Sequence, residues 1–377
     1  MIFNAVRKPF VTLGMVILGA LIITAGCQQA PAASPTAAKP AAPAATSAPA
    51  QPATPAPTQA AAPAPAQAAA PTQAAPTTAA AASTWKPNRT IQFVVPFGAG
   101  TSADTGARKL AALMEKQLGG TIEVVDKPGA GGAVGQTAVK TAKPDGYTVL
   151  WASAAMATLP AIGNVDYDYK AFDNLARVST ETVTLAVKAD GPYKTLADFL
   201  AAGKTKPLAV GNSGIGSFTH LAAVAIASKA GVQFSHVAFG DSPAVTAVLG
   251  GHIDASVQHP TEIMSAYKSG QARILGVTSE QRVAAFKDVP TFKEQGVDLV
   301  MENWRGIATP VGTPKDVDAA IEAAALAAAN SPDWKSYLDT VGSQLAIMDS
   351  KQYSAYVADQ TAQIAQLAKQ VNLGKKQ

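Results

Sequence analysis

Residues 91–104 read Ile-Gln-Phe-Val-Val-Pro-Phe-Gly-Ala-Gly-Thr-Ser-Ala-Asp, and this stretch decides the fold. A short apolar run enters a glycine turn, and helix-compatible residues follow, so the segment predicts a strand, a loop and a helix beginning at Ser102. Such a junction leaves the first N–H groups of the helix without intrahelical acceptors, at the positive end of the helix dipole. The loop is therefore a candidate binding site for a carboxylate or a phosphate.

Two further glycine loops share this arrangement. Residues 122–132 read Ile-Glu-Val-Val-Asp-Lys-Pro-Gly-Ala-Gly-Gly, and residues 208–221 read Leu-Ala-Val-Gly-Asn-Ser-Gly-Ile-Gly-Ser-Phe-Thr-His-Leu. Ser217 is a natural N-cap for the helix that follows the third loop. We therefore expect two α/β lobes, each of which offers a helix N-terminus to a shared cleft.

Strand-like and helix-like runs alternate past Trp85, which indicates an α/β fold with a largely parallel sheet. The predicted strands cover residues 91–95, 122–125, 147–152, 182–188, 208–211, 233–237, 253–257, 273–277 and 304–309. The predicted helices cover residues 102–118, 133–142, 196–202, 218–229, 244–249, 317–329, 332–341 and 351–370.

The N-terminal segment is typical of an export signal. Arg7 and Lys8 precede an apolar run over residues 10–25, and the only cysteine of the chain, Cys27, follows in surroundings that resemble the lipobox of bacterial lipoproteins. Residues 1–26 are predicted to be a lipoprotein signal peptide, with Cys27 as the lipidation site. The alternative is an uncleaved membrane anchor, because the apolar run is nearly long enough to span a bilayer. Both interpretations place the rest of the chain outside the cytoplasm, as a membrane-anchored protein of the periplasm or of the outer face of the cell membrane.

Residues 27–84 consist almost entirely of Ala, Pro, Thr, Gln and Ser, with Lys39 as the only charged residue. Proline is frequent and nothing large is available to bury, so the segment is predicted to be a disordered Ala/Pro-rich tether. Removal of the two basic leader residues lowers the formal charge of the chain from +4 to +2. A near-neutral chain lacks the concentrated basic face that nucleic-acid binding requires, so no nucleic-acid partner is expected.

The first glycine loop also permits a different function. Gly98, Gly100 and Ala103 satisfy the dinucleotide-binding pattern G-x-G-x-x-A, and Asp126 ends the next strand, where a ribose-binding acid belongs. An exported dinucleotide-binding oxidoreductase is therefore the alternative function. However, Asp126 lies 28 residues past Gly98 and runs directly into a second glycine loop, which a ribose site does not need. A purely structural interpretation also exists, because Thr101-x-x-Asp104 is a capping box.

The sequence shows no clear grouping of catalytic residues. His220, His236, His252 and His259 show no metal-ligand spacing, and the chain has no G-x-S-x-G elbow. The carboxylates are scattered, and none pairs in a way that suggests general acid–base catalysis. His220, one turn into a helix that faces the cleft, is the only histidine that this pattern favours as a ligand contact. The sequence therefore predicts no enzyme, no cofactor and no metal.

Many short motifs in the right order resemble the Bug/TctC family of extracytoplasmic solute receptors, and the resemblance covers residues 86–377. They include Lys-Pro-Gly-Ala-Gly-Gly at 127–132, Pro-Asp-Gly-Tyr-Thr at 144–148, Gly-Gly-His-Ile-Asp at 250–254 and Asp-Val-Pro-Thr at 288–291. The others lie at residues 95–104, 214–221, 277–279 and 304–314.

The resemblance implies a two-lobed periplasmic-binding-protein fold of the type II kind, which closes on its ligand like a Venus flytrap. Residues 86–187 with 310–377 would form lobe 1, and residues 188–309 would form lobe 2. Such a receptor captures a small organic carboxylate in the interlobe cleft and delivers it to the integral membrane subunits of a tripartite tricarboxylate transporter. The expected protein is a monomeric, extracytoplasmic lipoprotein.

The resemblance also implies a set of ligand-binding residues. Loops 97–104 and 213–220 would supply N–H groups to one carboxylate, and other residues would line the cleft from either lobe. The full set is Phe97, Gly98, Ala99, Gly100, Thr101, Ser102, Asp104, Ala152, Ser153, Ser213, Gly214, Gly216, Ser217, His220, Phe239, Asp241, Ser242, Gln258 and His259.

The chain departs from the family pattern near this site. Phe239-Gly240-Asp241 stands where Tyr-Lys-Gly is usual, and Gln258-His259-Pro260 stands where an Asp-Asn pair is frequent. Loss of a lysine and gain of Asp241 disfavour a strongly anionic ligand such as citrate. The pattern favours a mono- or dicarboxylate, with aromatic and amino-substituted acids included.

Overall fold

The computed structural model describes residues 85–240 and 242–373. The predicted signal peptide, the lipidation site Cys27, the predicted tether and Asp241 lie outside these ranges. Within them, no helix combines the length and the apolar character needed to cross a membrane.

Strands and helices alternate along the described chain. The strands are β1 (Ile91–Val95), β2 (Ile122–Asp126), β3 (Thr148–Ser153), β4 (Phe172–Thr182), β5 (Thr184–Lys188), β6 (Leu208–Asn212), β7 (Phe234–Ala238), β8 (Ala255–Gln258), β9 (Ala272–Val277), β10 (Glu302–Pro310) and β11 (Gln344–Met348). The α-helices are α1 (Ser102–Leu118), α2 (Ala133–Lys140), α3 (Ala155–Ala161), α4 (Leu196–Gly203), α5 (Phe218–Ala230), α6 (Val245–Leu249), α7 (Pro260–Lys268), α8 (Lys315–Ala329), α9 (Pro332–Val341) and α10 (Ser350–Gln370).

These strands form two mixed sheets. The first has the order β11-β4-β10-β3-β1-β2, in which β1 pairs in parallel with β2 and β3, and β10 pairs antiparallel with β3 and β4. The second has the order β7-β6-β8-β5-β9, in which β6 pairs in parallel with β7 and β8. Two mixed sheets flanked by helices confirm the predicted fold class. The antiparallel strands β10, β4 and β5 make the sheets less parallel than the alternation of elements alone suggests.

The chain passes between the two sheets twice. The first passage is at Val183, between β4 and β5, and the second lies between β9 and β10, over residues 278–301. The predicted lobe boundaries at 187/188 and 309/310 each lie one strand later along the chain than these passages.

Some elements differ from the sequence prediction. The predicted strand over residues 182–188 corresponds to the last residue of β4 followed by β5, and most of β4, β11, α3 and α7 were not predicted. β4 escapes prediction because Asp173, Asn174, Arg177 and Glu181 interrupt its apolar pattern. Partners distant in the sequence satisfy two of these side chains: Arg177 Nε donates to the Ala346 carbonyl at 2.9 Å, and Glu181 pairs with a residue of β10.

Apolar burial fixes the position of α1 on the first sheet. Phe93 of β1 and Trp151 of β3 meet edge to face at 5.7 Å, and Leu110 of α1 and Ile321 of α8 are buried in the same cluster. Each large apolar side chain buried in this way contributes about 1.5–3 kcal/mol to stability. The start of α1 is therefore held firmly at the carboxyl end of β1, where α/β folds characteristically bind ligands.

Candidate ligand-binding cleft

Two helices, one from each sheet, begin at the same cavity. α1 follows β1 of the first sheet and α5 follows β6 of the second sheet, and the first residues of both line the cavity. The lining consists of Phe97, Thr101, Ser102, Ala103, Ser153, Ser213, Ser217, Phe218, Thr219, His259, Glu262, Asn303 and Arg305. We call this cavity the cleft. Two converging positive helix ends make it attractive to a carboxylate.

The start of α1 contains half of the capping box that the sequence predicts: Thr101 is the N-cap, but its own N–H donates to the Gly98 carbonyl at 3.4 Å and not to Asp104. Thr101 Oγ1 accepts the Asp104 N–H at 3.4 Å, and the Asp104 carboxylate accepts the Gly100 N–H at 2.9 Å. Asp104 also pairs with Arg108 at 2.5 Å, so its carboxylate serves the cap and does not point a free charge at the cleft. The Ala103 N–H remains as a first-turn donor at a position that has no intrahelical acceptor.

The start of α5 is fixed mainly by side chains of its own loop. Ser217 Oγ accepts the His220 N–H at 3.2 Å, as predicted for an N-cap. Thr219 Oγ1 accepts the Ser213 N–H at 2.9 Å, and the Asn212 side chain accepts the Gly214 N–H at 3.0 Å. Several loop amides are thus already used within the loop, and the first-turn amides of Phe218 and Thr219 are the donors best placed for a ligand.

The second glycine loop, residues 129–132, lies outside the cleft lining. Its Gly131 has a φ of +67°, and a Cβ there would collide with the Ile215 carbonyl oxygen and lie 2.8 Å from the Ser217 nitrogen. The loop therefore packs against the backbone of the third glycine loop, across the boundary between the sheets. Thr158 Oγ1 adds a 2.5 Å hydrogen bond from the first-sheet side to the Gly216 carbonyl.

A buried ion pair forms the floor of the cleft. Arg305 of β10 donates from Nη2 to Glu181 Oε2 at 2.8 Å and to Ser102 Oγ at 2.7 Å. All three side chains are buried. Burial alone would raise the pKa of Glu181, but the charge of the Arg305 guanidinium and the hydrogen bonds from Arg305 and Ser102 hold that pKa below its usual value. The charge of Arg305 is consequently committed to Glu181.

His259 lies against this pair in its neutral form. Asn303 accepts the Ala154 N–H at 3.1 Å through Oδ1, so its Nδ2 group faces His259 Nε2, also at 3.1 Å. Nε2 is therefore the acceptor of the imidazole, and Nδ1 donates to the Thr182 carbonyl at 3.1 Å. Burial lowers the pKa of His259 to about 4, although the Glu181 charge opposes this shift.

Glu262 brings a second buried carboxyl group into the cleft. Its Oε1 accepts the Ser102 N–H at 3.3 Å, and its Oε2 accepts the His259 N–H at 3.0 Å. Burial raises its pKa to about 7, even though both amide hydrogen bonds favour the charged form. An internal carboxylate thus already occupies one donor at the start of α1.

The cleft is nearly closed. Its volume is about 10 Å³, which is roughly the room of one water molecule. Pockets that hold small organic ligands usually measure about 300–1,000 Å³. A four-carbon acid therefore needs the two sides of the cleft to move apart.

The predicted ligand residues fall into three groups. Those in the cleft lining are Phe97, Thr101, Ser102, Ser153, Ser213, Ser217 and His259. Those outside the cleft lining are Gly98, Ala99, Gly100, Asp104, Ala152, Gly214, Gly216, Phe239, Ser242 and Gln258. Asp241 lies outside the described residues, and His220 faces elsewhere. For the set as a whole, the ligand-binding role stays a prediction.

His220 lines a different cavity, of about 920 Å³, together with His236. The two imidazole rings meet edge to face at 4.8 Å, and His220 Nδ1 accepts the Gly216 N–H at 3.3 Å. Burial and the proximity of His236 lower the pKa of His220 to about 4. His220 therefore stabilises the third glycine loop from the side of this other cavity and not from the cleft.

Seven residues of the cleft are absent from the predicted set: Ala103, Phe218 and Thr219 lie in the predicted loops, whereas Glu181, Glu262, Asn303 and Arg305 were not predicted. Asn303 and Arg305 flank Trp304, which begins one of the family-like motifs, so the sequence did contain a signal for them. Glu181 and Glu262 had none, because their partners lie 124 and 160 positions away.

Asp126, the residue that would bind the ribose in a dinucleotide site, forms an ion pair within the protein. Asp126 pairs with Arg108 Nη2 at 3.1 Å, beside Asp104. The Gly98 N–H, in the loop that would hold a pyrophosphate, donates to the Gly240 carbonyl at 3.2 Å. In the described part of the chain, no three His, Cys, Asp or Glu side chains are grouped closely enough to hold a metal ion.

Comparison with known sequences identifies the family to which this chain is similar. The family described as the tripartite tricarboxylate transporter family receptor matches residues 106–373. A protein of Cupriavidus necator named UPF0065 protein in gbd 5′ region is 31% identical over 296 residues, which cover 77% of this chain and 90% of that protein.

Solved structures agree with the sequence comparison. The periplasmic binding protein BugD is 30% identical, with a TM-score of 0.74 over 77% of this chain and 100% of BugD. MatC of Rhodopseudomonas palustris, solved with bound malate, is 26% identical, with a TM-score of 0.70 over 74% of this chain and 99% of MatC.

Proposed function

Because this chain belongs to the tripartite tricarboxylate transporter family of receptors, we propose that it captures a small organic carboxylate in the cleft and delivers it, chemically unchanged, to the membrane subunits of such a transporter. One observation carries the proposal. The N-termini of α1 and α5, which belong to different sheets, open onto one buried cavity. The malate bound by MatC supports a ligand of this class.

Backbone donors supply the binding energy in this proposal. Hydrogen bonds from N–H groups to a carboxylate contribute about 1.5–3 kcal/mol each, and each helix terminus adds about 0.3–1 kcal/mol. A few such contacts, less the cost of immobilising the ligand, correspond to a dissociation constant on the order of micromolar. The amides of Ala103, Phe218 and Thr219 and the hydroxyls of Ser153 and Ser213 are the proposed donors.

The charges of the cleft favour a modestly anionic ligand. Within the described residues of the lining, Arg305 is the only guanidinium or ammonium, and Glu181 neutralises it. A second uncompensated carboxylate on the ligand would lie close to Glu262. We therefore propose mono- and dicarboxylates in preference to citrate, in agreement with the departures noted in the sequence.

Capture requires movement, because the closed cleft has no room for an acid. Separation of the two sheets about the passages at Val183 and residues 278–301 would open it, and closure would bring the α5 loop onto an acid held by α1. In this proposal the two lobes meet at these passages, one strand earlier than the boundaries 187/188 and 309/310 expected from the sequence. The export signal, the lipid on Cys27 and the monomeric state belong to the same proposal.

Thermal unfolding in the presence of an acid panel tests the proposal. We expect malate, or another small mono- or dicarboxylate, to raise the melting temperature by several degrees. A ligand at a hundredfold excess over its dissociation constant stabilises the folded state by about 2.7 kcal/mol. The acid should be recovered unchanged, and neutral sugars serve as controls. If no acid stabilises the protein, or if NADH binds with enhanced fluorescence, the proposal is wrong.

A further inference from the structure

Glu262 makes a contact between the two sides of the cleft that resembles the contact expected of a ligand. It lies on α7, which follows β8 of the second sheet, yet its Oε1 accepts the N–H of Ser102, the first residue of α1 on the first sheet. Its other oxygen is held by the His259 N–H on its own side. An internal carboxylate thus occupies the positive end of α1 when the cleft is closed.

Among the described residues around Glu262, no cation is free to neutralise it. Arg305 of β10 is paired with Glu181 of β4, and that second carboxylate opposes the charge of Glu262. His259 is neutral, as its hydrogen bonds show. From the remaining packed elements, Asp104 of α1 is paired with Arg108, and Tyr337 of α9 donates its hydroxyl to Thr105.

A ligand carboxylate at the same helix end must compete with Glu262. When the cleft opens, the Ser102 contact breaks, because its two partners lie on opposite sides. When the cleft closes over an acid, the charge of the acid lies beside Glu262 and Glu181. The Arg305 guanidinium is then the one positive charge for these three carboxylates among the described residues of the cleft lining. Two like charges at such a distance favour protonation of one of them.

We propose that Glu262 is the residue that couples ligand capture to a proton: the bound acid replaces its carboxylate at the start of α1, and Glu262 becomes protonated as the cleft closes. The inference rests on the proposed function, since it needs a carboxylate ligand. Glu262 would act as a specificity-determining residue, because each further negative charge on the ligand makes its protonation more necessary.

The sign of the pH effect follows from this coupling. The complex binds more protons than the free protein, so affinity falls as the pH rises above the pKa of Glu262 in the closed, ligand-free cleft, which burial raises to about 7. In that pH range the affinity falls by up to about tenfold for each pH unit. The ligand itself does not titrate there, because ordinary carboxyl groups lose their protons near pH 4.

Calorimetric titration of malate at pH 7, 8 and 9, in two buffers with different ionisation enthalpies, counts the protons directly. We expect wild type to take up close to one proton per malate bound at pH 8. Glu262→Gln keeps the size of the side chain and one acceptor oxygen. It should bind malate without proton uptake and with a flat pH profile. Glu123→Gln, an exposed carboxylate on β2, should behave like wild type.

Each outcome decides the matter. Malate binding to wild type without proton uptake overturns the inference and leaves the proposed function intact, and this test needs no variant. Equal proton uptake by wild type and Glu262→Gln also overturns it. Malate binding to Glu262→Gln alone at all three pH values also overturns it, because Glu262 would then repel the acid without taking up a proton. If neither protein binds malate, succinate or adipate at any of the three pH values, the proposed function fails, and the inference fails with it.

Discussion

Replacement of Arg305 by Met is expected to lower the free energy of unfolding by about 3–5 kcal/mol, because removal of one partner of a buried ion pair leaves the other charge uncompensated. Glu181 Oε2 would lose both of its guanidinium hydrogen bonds, at 2.8 and 3.1 Å, and its side chain is buried. Urea denaturation of the wild-type and variant proteins at pH 7 measures the difference.

A matched control is available on the surface. Arg89 pairs with Asp145 at the same 2.8 Å, but its side chain is 60% exposed, so Arg89→Met should cost less than about 1 kcal/mol. Adding Glu181→Gln to Arg305→Met should restore part of the lost stability, since the buried charge is then gone. If Arg305→Met is no more destabilising than Arg89→Met, the Arg305–Glu181 ion pair does not stabilise the fold as a buried ion pair should.

Gly131→Ala is expected to weaken acid binding by roughly ten- to a hundredfold, because the added methyl group obstructs the closed cleft. It would collide with the Ile215 carbonyl, which lies on the opposite side of the sheet boundary. Overpacking of this kind costs about 1–3 kcal/mol, and each 1.4 kcal/mol is a factor of ten in affinity. Calorimetric titration of the acid that stabilises the wild-type protein most measures the loss.

Gly119 provides the control for backbone strain. Its φ of +68° matches that of Gly131, but a Cβ at Gly119 would meet nothing within 4 Å. Gly119→Ala should therefore lower stability through the strained backbone and leave affinity unchanged. Equal affinities for the two alanine variants would show that the second glycine loop does not take part in closure.

The sequence predicted best those features that local chemistry determines. The bounds predicted for α1, residues 102–118, agree with the structure because Thr101, Asp104 and Gly119 mark both ends of the helix within the chain itself. The bounds predicted for α9, residues 332–341, agree for a similar reason, with Ser331 as N-cap and Gly342 as the left-handed C-cap. Caps and turns act over a few residues, so they can be recognised before any tertiary contact is known.

Features that depend on distant partners were not predictable in this way. The polar residues of β4 look like loop residues until Arg305 and the Ala346 carbonyl are placed beside them. Likewise, the three glycine loops look alike in the sequence, yet the first and third begin helices at the cleft, whereas the second packs against the third. The different roles of the three loops become visible only when the two sides of the cleft are placed against each other.

The central claim is that one ligand carboxylate is held jointly by the first turns of α1 and α5. A crystal structure of the protein with its stabilising acid tests this most directly. We expect a single carboxylate within about 2.7–3.2 Å of the Ala103 amide and of the Phe218 or Thr219 amide, with Glu262 withdrawn from Ser102. An acid bound elsewhere, or held by only one of the two helices, would contradict the claim.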